Sequence, residues 1–508
     1  MNLIASTSTF GFFTLISRLL GYVRDVLIAI FLGTSIFADV FFVAFRLPNT
    51  FRRLFAEGTF NAAFIPSYAG ELTKSKIGAD NFAKSIFSLL FIILLFLVLI
   101  AEIFMPQLIF LIAPGFYNDP EKLKLAIELS RITFPFLFFI SLASFLGAIL
   151  NSYNKFAVTA AAPIILNIIL IASLFFSQWL NISNVLILSY AVSLSGFLQL
   201  LVLLFYVRKN FKPILNIKIK IDKKIKLFFR KLIPSIFSSG VTQINILVGT
   251  IIASFQAGAV SYLYYADRVY QINLAIAGIA VGTVMLPELS KNIQRNNFKK
   301  IINLQNRALE LCLFLSIPAG VALVLASEQI ITSLFGYGSF DNTSVINTAL
   351  ALTFFAFGVP AFAILKILSN LFFARNDTKT PFYLSVVSVV LNIIISLTLF
   401  NRLGFVIIPI ATSFSSWINV LMHFYFIKKR NLHSFDAKFI YKFPRIVLSV
   451  VVMAIILYLQ LDLFSGKFDY NESWKFIYLF IIVITSLLSY FLTSNFSGAF
   501  KFKDIKLR

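Results

Sequence analysis

A run of fifty residues, from Ser17 to Pro66, combines ionisable side chains with an apolar background. It contains SRLLGYVRD at 17–25 and FRLPNTFRRLFAEGTFNAAFIP at 45–66. Its ionisable members are Arg18, Arg24, Asp25, Asp39, Arg46, Arg52, Arg53 and Glu57. Charged groups at membrane depth are costly unless they face protein or water, so this run is the first candidate for a functional site.

Three further charges lie in the second half of the chain: Asp267 and Arg268 in YYADRVYQ, and Lys366 in a later apolar run. Pooled with the first group, they give seven cations against four anions, a net charge of +3. Positive charge in a membrane needs an anionic ligand or a wet cavity. Because guanidinium groups bind phosphate oxygens bidentately, the residue types favour an anionic substrate, most simply a phosphate or pyrophosphate.

The helical period predicts which of these side chains share a face. Arg18 and Asp25 are seven residues apart and share one, whereas Arg24 points about a third of a turn away. A second stripe holds Asp39, Arg46, Arg53 and Glu57, but Pro48 removes a helical hydrogen bond, and a kink there would reset the phase. For a single residue such as Arg46, snorkelling or simple helix pairing is an equally open interpretation.

Composition identifies the elements that must position these charges. The chain has 508 residues, of which 59% are hydrophobic and 13% charged, whereas soluble domains carry roughly a quarter charged residues. We therefore expect a polytopic all-α membrane protein. One cysteine excludes a disulfide framework, and the two histidines form no metal-ligand pattern. P-loop, G-x-S-x-G and H-E-x-x-H motifs are missing, so a transporter is favoured over an enzyme.

Apolar runs bounded by Pro, Gly, Asn or charges predict fourteen transmembrane helices. They lie at 4–31, 36–67, 83–113, 124–151, 157–177, 184–207, 228–256, 261–290, 302–327, 344–374, 381–401, 404–427, 442–462 and 474–495.

The positive charge is distributed unevenly between the connecting loops. With both termini placed in the cytoplasm, most lysines and arginines fall in cytoplasmic loops, and the opposite loops hold mainly Lys122, Lys124, Arg402 and Lys467. The net charge of +23 is then a topology signal that also attracts anionic lipid, and nucleic acid is not expected as a partner. The N-terminus lacks the pattern of a cleaved signal peptide, so we expect the first helix to be retained.

The chain contains an internal repeat. Pro135, Asn151 and Asn167 recur as Pro360, Asn376 and Asn392, all at an offset of 225. Two parallel six-helix lobes around a central cationic cavity follow from this repeat. We predict an N-lobe at 1–210, an amphipathic cytoplasmic linker at 211–227, a C-lobe at 228–430, and two extra helices with a cytoplasmic tail at 431–508. A solvated basic loop is the alternative interpretation of the linker.

The sequence resembles the lipid II flippase family MurJ, also called MviN, within the multidrug/oligosaccharidyl-lipid/polysaccharide exporter superfamily. The resemblance rests on SRLLGYVRD, on FRLPNTFRRLFAEGTFNAAFIP, on YYADRVYQ at 264–271 and on GTVMLPELS at 282–290. It implies a V-shaped fold of fourteen helices that moves a lipid-linked peptidoglycan precursor from the cytoplasmic to the periplasmic leaflet by alternating access. A role in cell-wall biogenesis and cell shape, in the bacterial inner membrane, is implied with it.

The resemblance also assigns roles to residues. Head-group contacts are implied for Arg18, Arg24, Arg52 and Arg268, and we add Arg46, Arg53, Asn49 and Lys366 as substrate-binding candidates. Charge pairing and gating are implied for Asp25, Asp39, Glu57 and Asp267, and the last two helices are expected to form a groove for the isoprenoid tail. We expect no cofactor, coupling to sodium or to the membrane potential, lipid II and membrane lipids as partners, and a monomer.

Several other functions remain open at this stage. A flippase for another polyprenyl-diphosphate-linked glycan would recognise the same anionic head. A drug or cation exporter of the same superfamily would usually have twelve helices and an acidic cavity. A membrane enzyme acting on lipid-linked phosphate would need a paired acid and base or a metal site, and a non-transporting scaffold would need no wet cavity.

Overall fold

The structure is a computed structural model that describes residues 3–55, 59–215 and 222–500. Within these ranges every regular element is a helix, as the hydropathy pattern predicts. The chain divides into two compact units, Met1–Ser261 and Tyr262–Arg508.

The first unit contains ten complete α-helices among its described residues, and each follows one of the apolar runs of the sequence. They are α1 (Leu3–Leu32), α2 (Ile36–Phe55), α3 (Thr59–Leu72), α4 (Lys76–Ile103), α5 (Met105–Ile112), α6 (Pro120–Thr133), α7 (Phe136–Ser152), α8 (Phe156–Leu180), α9 (Asn184–Val207) and α10 (Lys223–Ala253). The helix α10 falls in this unit, although the sequence assigns residues from 228 onward to the second lobe. The predicted lobe and linker boundaries stay a prediction.

Helix α11 (Ala259–Leu274) begins at the end of the first unit and continues into the second. A π-helical turn at Ala275–Ala280 joins it to α12 (Val281–Gln294). The helices that follow are α13 (Phe298–Leu325), α14 (Ser327–Phe335), α15 (Asn342–Ala356), α16 (Val359–Phe373), α17 (Lys379–Leu403), α18 (Ile407–Lys429), α19 (Ala437–Leu463) and α20 (Lys475–Ser497).

Ten helical segments of the described chain are long and apolar enough to cross a membrane, which confirms a multi-pass membrane protein. The longest, Lys379–Lys429, covers α17 and α18, two of the predicted crossings. The predicted first, second and seventh crossings are not among the ten. The prediction of fourteen crossings is therefore supported only at this coarser level.

Several predicted crossings are interrupted helices, and the interruptions repeat. The helix breaks between α6 and α7 at Phe134–Pro135, and between α15 and α16 at Phe357–Gly358. Proline cannot donate a backbone hydrogen bond, and Pro135 or Pro360 stands at each break. In both units a serine of a later helix satisfies a carbonyl beside the break: Ser193 Oγ donates to Ile132 O, and Ser413 Oγ donates to Phe354 O at 2.6 Å.

An aromatic core holds the first unit together on the side of α3, α4, α7 and α10. Phe64 lies at its centre, with ring-centroid distances of 5.0 Å to Phe145, 6.0 Å to Phe82 and 6.2 Å to Phe228. These rings are buried, and such pairs stabilise beyond their area alone. Of the two charged helices, α1 packs mainly against α8, and α2 packs mainly against α6.

Candidate functional site

The most complete charged network of the first unit centres on Arg24. Its guanidinium donates to Asp25 Oδ1 from Nε at 3.0 Å and from Nη2 at 2.6 Å. A third bond runs from Nη1 to Asn167 Oδ1 of α8 at 2.9 Å. Arg24 is 7% exposed and Asp25 is 3% exposed, so the pair lies inside the protein. The helical period points Arg24 and Asp25 in different directions from the helix axis. The long arginine side chain nevertheless reaches the carboxylate of the next residue.

Arg18 lies almost two turns earlier on the same helix and is exposed. The described residues provide it with no ion pair or hydrogen bond. Helix α1 therefore presents one guanidinium held inside the protein and one available to a ligand.

Helix α2 continues through Pro48 and carries two half-buried arginines. Arg46 donates from Nη1 to Thr250 Oγ1 of α10, and Arg52 donates from Nε to Asn49 Oδ1 at 2.9 Å. Asn49 thus orients the Arg52 side chain through a contact one turn apart on the helix. The backbone of Arg53 belongs to α2, but the structure does not describe its side chain. Glu57 lies outside the described residues.

Asp39 is fully buried near the start of α2 and accepts four hydrogen bonds. Their donors are Lys122 Nζ at 2.9 Å, the amide of Gly258 at 2.9 Å, and the amide and hydroxyl of Ser261 at 3.0 and 2.7 Å. The carboxylate joins the first turn of α6 to the segment where α11 begins. A charge satisfied in this way fastens helices together, which agrees with pairing or gating rather than direct substrate contact.

The second unit contributes three of the predicted site residues. Arg268 lies over the Tyr264 ring, 4.6 Å from its centroid, and its Nη2 donates to Tyr264 Oη at 3.0 Å. Asp267 accepts from Gln271 Nε2 one turn later. Lys366 is exposed on α16, and no hydrogen bond or ion pair links it to a described residue. Arg268 and Lys366 are thus cationic groups of the second unit that remain at least partly exposed.

Several buried charges were missed by sequence reasoning. Lys122, expected as a loop charge, is 6% exposed and paired with Asp39. In the second unit Glu310 of α13 accepts from Arg307 and from Lys442 of α19, and Arg307 also donates twice to Asp436, each time at 2.7 Å. Glu310 is a carboxylate inside an apolar run, so the rule used for α1 and α2 could have found it. Lys442 lies between Lys438 and Arg445 in a basic segment, so the sequence did not set it apart.

The loop between α18 and α19 is attached beside this network. His433 Nδ1 lies 2.9 Å from Gln305 Oε1, and Asn306 Nδ2 donates to Ser434 O at 2.9 Å. Burial lowers the pKa of His433 to about 4. Burial raises the pKa of Asp436, but hydrogen bonds from the Phe439 amide and from Arg307 outweigh this effect and lower it overall. The loop is therefore held by neutral contacts together with one ion pair.

A metal centre is not supported by the described part of the chain, where no three His, Cys, Asp or Glu side chains cluster to hold an ion. The groups available for chemistry are cationic donors on helices, with carboxylates and amides that orient them. Such an arrangement suits an anionic ligand, because charged N–H donors bind anionic oxygens strongly.

Comparison with known proteins shows which family this chain resembles along most of its length. A family model described as "Lipid II flippase MurJ" matches residues 28–481. The chain is 40% identical over 467 residues to the "Probable lipid II flippase MurJ" of Rhizobium meliloti (strain 1021), covering 91% of this chain and 87% of that protein. It is 39% identical over 438 residues to the protein of the same name from Rickettsia prowazekii (strain Madrid E), covering 85% of each chain.

Solved structures extend the comparison to the fold. The structure titled "Lipid II flippase MurJ, inward closed conformation" matches with a TM-score of 0.82 and 29% identity, covering 96% of this chain and 98% of that one. An inward-facing multidrug resistance MATE family transporter of the MOP superfamily matches with a TM-score of 0.69 and 17% identity, covering 82% of this chain and 94% of that one, which shows the fold alone.

Fold and site together define a polytopic helical membrane protein with a MATE-like fold. The apolar helices place it in a membrane, and the charged groups of its described candidate site are mainly cationic. The chain belongs to the lipid II flippase MurJ family. The predictions of this family and of a flippase rather than an enzyme are confirmed.

Proposed function

We propose that this flippase moves lipid II, the undecaprenyl-diphosphate-linked peptidoglycan precursor, from the cytoplasmic to the periplasmic leaflet by alternating access. Family membership supports the substrate, and the MATE-like fold supports the mechanism. Fourteen crossings arranged as two six-helix lobes in a V shape, with two additional C-terminal helices, form the proposed framework. The repeated helix breaks at Phe134–Pro135 and Phe357–Gly358 support the internal repeat on which this framework rests.

The arginines of α1 and α2 bind the diphosphate and sugar of the head group in this proposal. The observation that carries it is the guanidinium of Arg24, which is buried, paired with a single carboxylate and adjacent along α1 to the exposed Arg18. The two arginines bring two positive charges for one negative charge on this helix segment. The anionic diphosphate would compensate the excess through charge-assisted hydrogen bonds. Further contacts come from Arg46, Asn49, Arg52, Arg53, Arg268 and Lys366.

The carboxylates act in charge pairing and gating. Asp25 holds Arg24, and Asp39 fastens α2 to α6 and to the start of α11. Glu57 and Asp267 are assigned the same kind of role. A transport cycle requires that such contacts exchange between states, since a ligand can shift an equilibrium only through differential interactions.

The isoprenoid tail lies against the second unit in this proposal. An apolar cleft of about 490 Å³ opens there between α13, α16, α18 and the beginning of α19. Its walls include Leu313, Ile364, Phe424, Phe439 and Phe443. Hydrocarbon surface of this kind suits a polyprenyl chain, and the residues that α19 contributes to the cleft support a tail-binding role for this helix. For α20 the same role is proposed from the family resemblance alone.

Topology and coupling complete the proposal. We place the chain in the bacterial inner membrane as a monomer with both termini in the cytoplasm, because the basic residues concentrate in the loops assigned to that side. The positive charge then serves topology and lipid contact, and nucleic acid is no partner. Transport is coupled to sodium or to the membrane potential, which acts on each translocated charge with about 2.3 kcal/mol per 100 mV.

Complementation tests this function. Cells depleted of their own lipid II flippase receive the wild-type chain, Arg18→Ala, Arg24→Ala or the control Arg402→Ala, whose side chain is exposed in the last turn of α17. We expect growth with the wild type and the control, and lysis with the two α1 variants at equal membrane expression. Full growth with both α1 variants would refute the head-group role, and lysis with the wild type would refute the function.

A further inference from the structure

Asn167 of α8 is a buried residue whose amide nitrogen and amide oxygen both form hydrogen bonds. It is 5% exposed, and its Nδ2 donates to the Ser17 carbonyl of α1 at 2.8 Å. Its Oδ1 accepts from Arg24 Nη1 at 2.9 Å. One side chain of α8 therefore contacts α1 at two points almost two turns apart.

The contacted positions lie on one face of α1. Ser17, Gly21 and Arg24 are separated by four and three residues, the spacing that aligns side chains along a helix. Gly21 faces the amide directly, since a Cβ there would lie 3.6 Å from Asn167 Nδ2. The amide thus fits against the α1 backbone and reaches the guanidinium from there.

The equivalent residue of the second repeat has different partners. Asn392 of α17 lies 225 positions after Asn167, and it too is buried. Its Nδ2 donates to Thr412 Oγ1 at 3.2 Å, and its Oδ1 accepts from Ser396 Oγ at 3.1 Å. At the same offset, glycine (Gly249) stands in place of Arg24. The second repeat therefore supplies no guanidinium at the position equivalent to Arg24.

Asp25 and Asn167 determine which donors of Arg24 remain available. A guanidinium has five N–H groups in a fixed plane. Asp25 accepts from the single N–H of Nε and from one N–H of Nη2, and Asn167 accepts from one N–H of Nη1. With respect to the described residues, one N–H on each terminal nitrogen remains. These two can reach a pair of phosphate oxygens, provided that the plane is held in this orientation.

We propose that Asn167 is a positioning residue for head-group recognition, which orients the Arg24 guanidinium toward the diphosphate. The inference rests on the proposed role of Arg24 and assigns a new role to a residue of α8. A neutral amide suits this role because it orients the arginine without cancelling its charge. A carboxylate at this position would form a second ion pair with Arg24 and compete with the anionic substrate.

A double-mutant cycle tests the proposal. Lipid II binding is measured for the full-length chain in nanodiscs with Arg24→Ala, Asn167→Ala, Asn167→Asp and the combination of Arg24→Ala with Asn167→Asp. We expect Arg24→Ala and Asn167→Asp each to weaken binding by roughly tenfold or more, because the first removes the guanidinium and the second adds a carboxylate that competes with the substrate for it. In the Arg24→Ala background, Asn167→Asp should weaken binding further by less than about twofold.

Asn392→Asp is the matched control, because it places the same buried carboxylate at the equivalent position of the second repeat. Its effect on binding should multiply with that of Arg24→Ala, since glycine (Gly249) stands at the repeat position equivalent to Arg24 and offers no guanidinium to reorient. Melting temperatures separate misfolding from loss of recognition, and Asn167→Ala gives a variant without an added charge.

Two results would overturn the inference in distinguishable ways. If Arg24→Ala weakens binding while the effect of Asn167→Asp is undiminished in its background, Asn167 acts only on the fold and the role of Arg24 survives. If Arg24→Ala leaves lipid II binding unchanged, both the positioning role and the proposed head-group site fall.

Discussion

Lys122 and Asp39 form an ion pair inside the first unit, with Nζ and Oδ2 2.9 Å apart and side-chain exposures of 7% and 0%. The Lys122 ammonium also lies 4.2 Å from the centroid of the Phe116 ring. Its partner Asp39 simultaneously accepts from the amides of Gly258 and Ser261. This pair therefore holds the segment between α10 and α11 against α2 and α6.

Loss of one partner should destabilise the protein more than loss of both. Lys122→Met leaves the Asp39 charge buried, which costs about 3–5 kcal/mol, whereas combining it with Asp39→Asn removes the uncompensated charge. We expect a lower melting temperature for Lys122→Met and a partial recovery in the double variant. Lys124→Met, exposed on the same helix, is the control and should melt like the wild type. Additive effects of the two substitutions would contradict the buried pair.

Gly115 packs closely against Ser254, at the end of α10. Gly115 N donates to Ser254 Oγ at 3.0 Å, and a Cβ at this position would lie 2.3 Å from the Ser254 carbonyl oxygen. Because the clashing atoms are backbone, Gly115→Ala should destabilise by more than about 4 kcal/mol and reduce expression. Gly466→Ala is the control, since a Cβ there meets nothing within 4 Å. Equal melting temperatures of the two variants would show that the contact is looser than described.

The network of Glu310 should attach α19 to the second unit. Lys442→Met removes one of the two cations of this buried carboxylate and should loosen the first turns of α19. Hydrogen–deuterium exchange of peptides beginning at Ala437 should become faster by roughly tenfold or more. Lys438→Met, exposed on the same turn, serves for comparison. Unchanged exchange in the Lys442 variant would mean that apolar packing alone holds α19.

His433 predicts a dependence of stability on pH. Its pKa falls from 6.5 to about 4 on folding, because burial disfavours the charged ring. The folded state therefore binds fewer protons than the unfolded one between these values, and stability falls as pH decreases from about 6.5 to about 4. In His433→Gln, which cannot charge, the decline of the melting temperature over this window should be smaller. A decline identical to the wild type would assign it to other groups.

The charge pattern of α1 and α2 was readable from sequence because ionisable residues stand out in apolar helices. Arg24 and Asp25 were selected on this basis, and the structure places both inside the first unit as a pair. The third partner could not be derived, since Asn167 lies 143 residues away and its contact depends on how α8 packs on α1. The internal repeat identifies Asn167 as a repeated position, but it does not indicate a contact with Arg24.

Two other features of the structure could not be predicted from the sequence. Lys122 follows Pro120 in the first turn of α6, so its position suggested a loop, yet its long side chain reaches Asp39. The breaks beside Phe134 and Phe357 leave the apolar character of the run intact, so hydropathy predicts one crossing over each run and does not locate the break. Prolines at 135 and 360 were the available signals.

The orientation of Arg24 shows how closely recognition and structure are connected in α1. The same guanidinium pairs with Asp25, donates to Asn167 and, with respect to the described residues, keeps two N–H donors for the proposed ligand. Arg24→Lys keeps the charge but loses the planar fork, so it should support transport far less well than the wild type. Complementation of flippase-depleted cells with this variant measures the loss, and growth equal to the wild type would mean that charge alone suffices.

The most direct measurement is the leaflet distribution of lipid II in cells whose only flippase is this chain. An impermeant reagent that modifies lipid II from the periplasmic side reports the fraction that has crossed. We predict that most lipid II is accessible with the wild type and with Arg402→Ala, and that it remains protected with Arg24→Ala at equal membrane insertion. Accessibility with Arg24→Ala equal to the wild type would contradict the account.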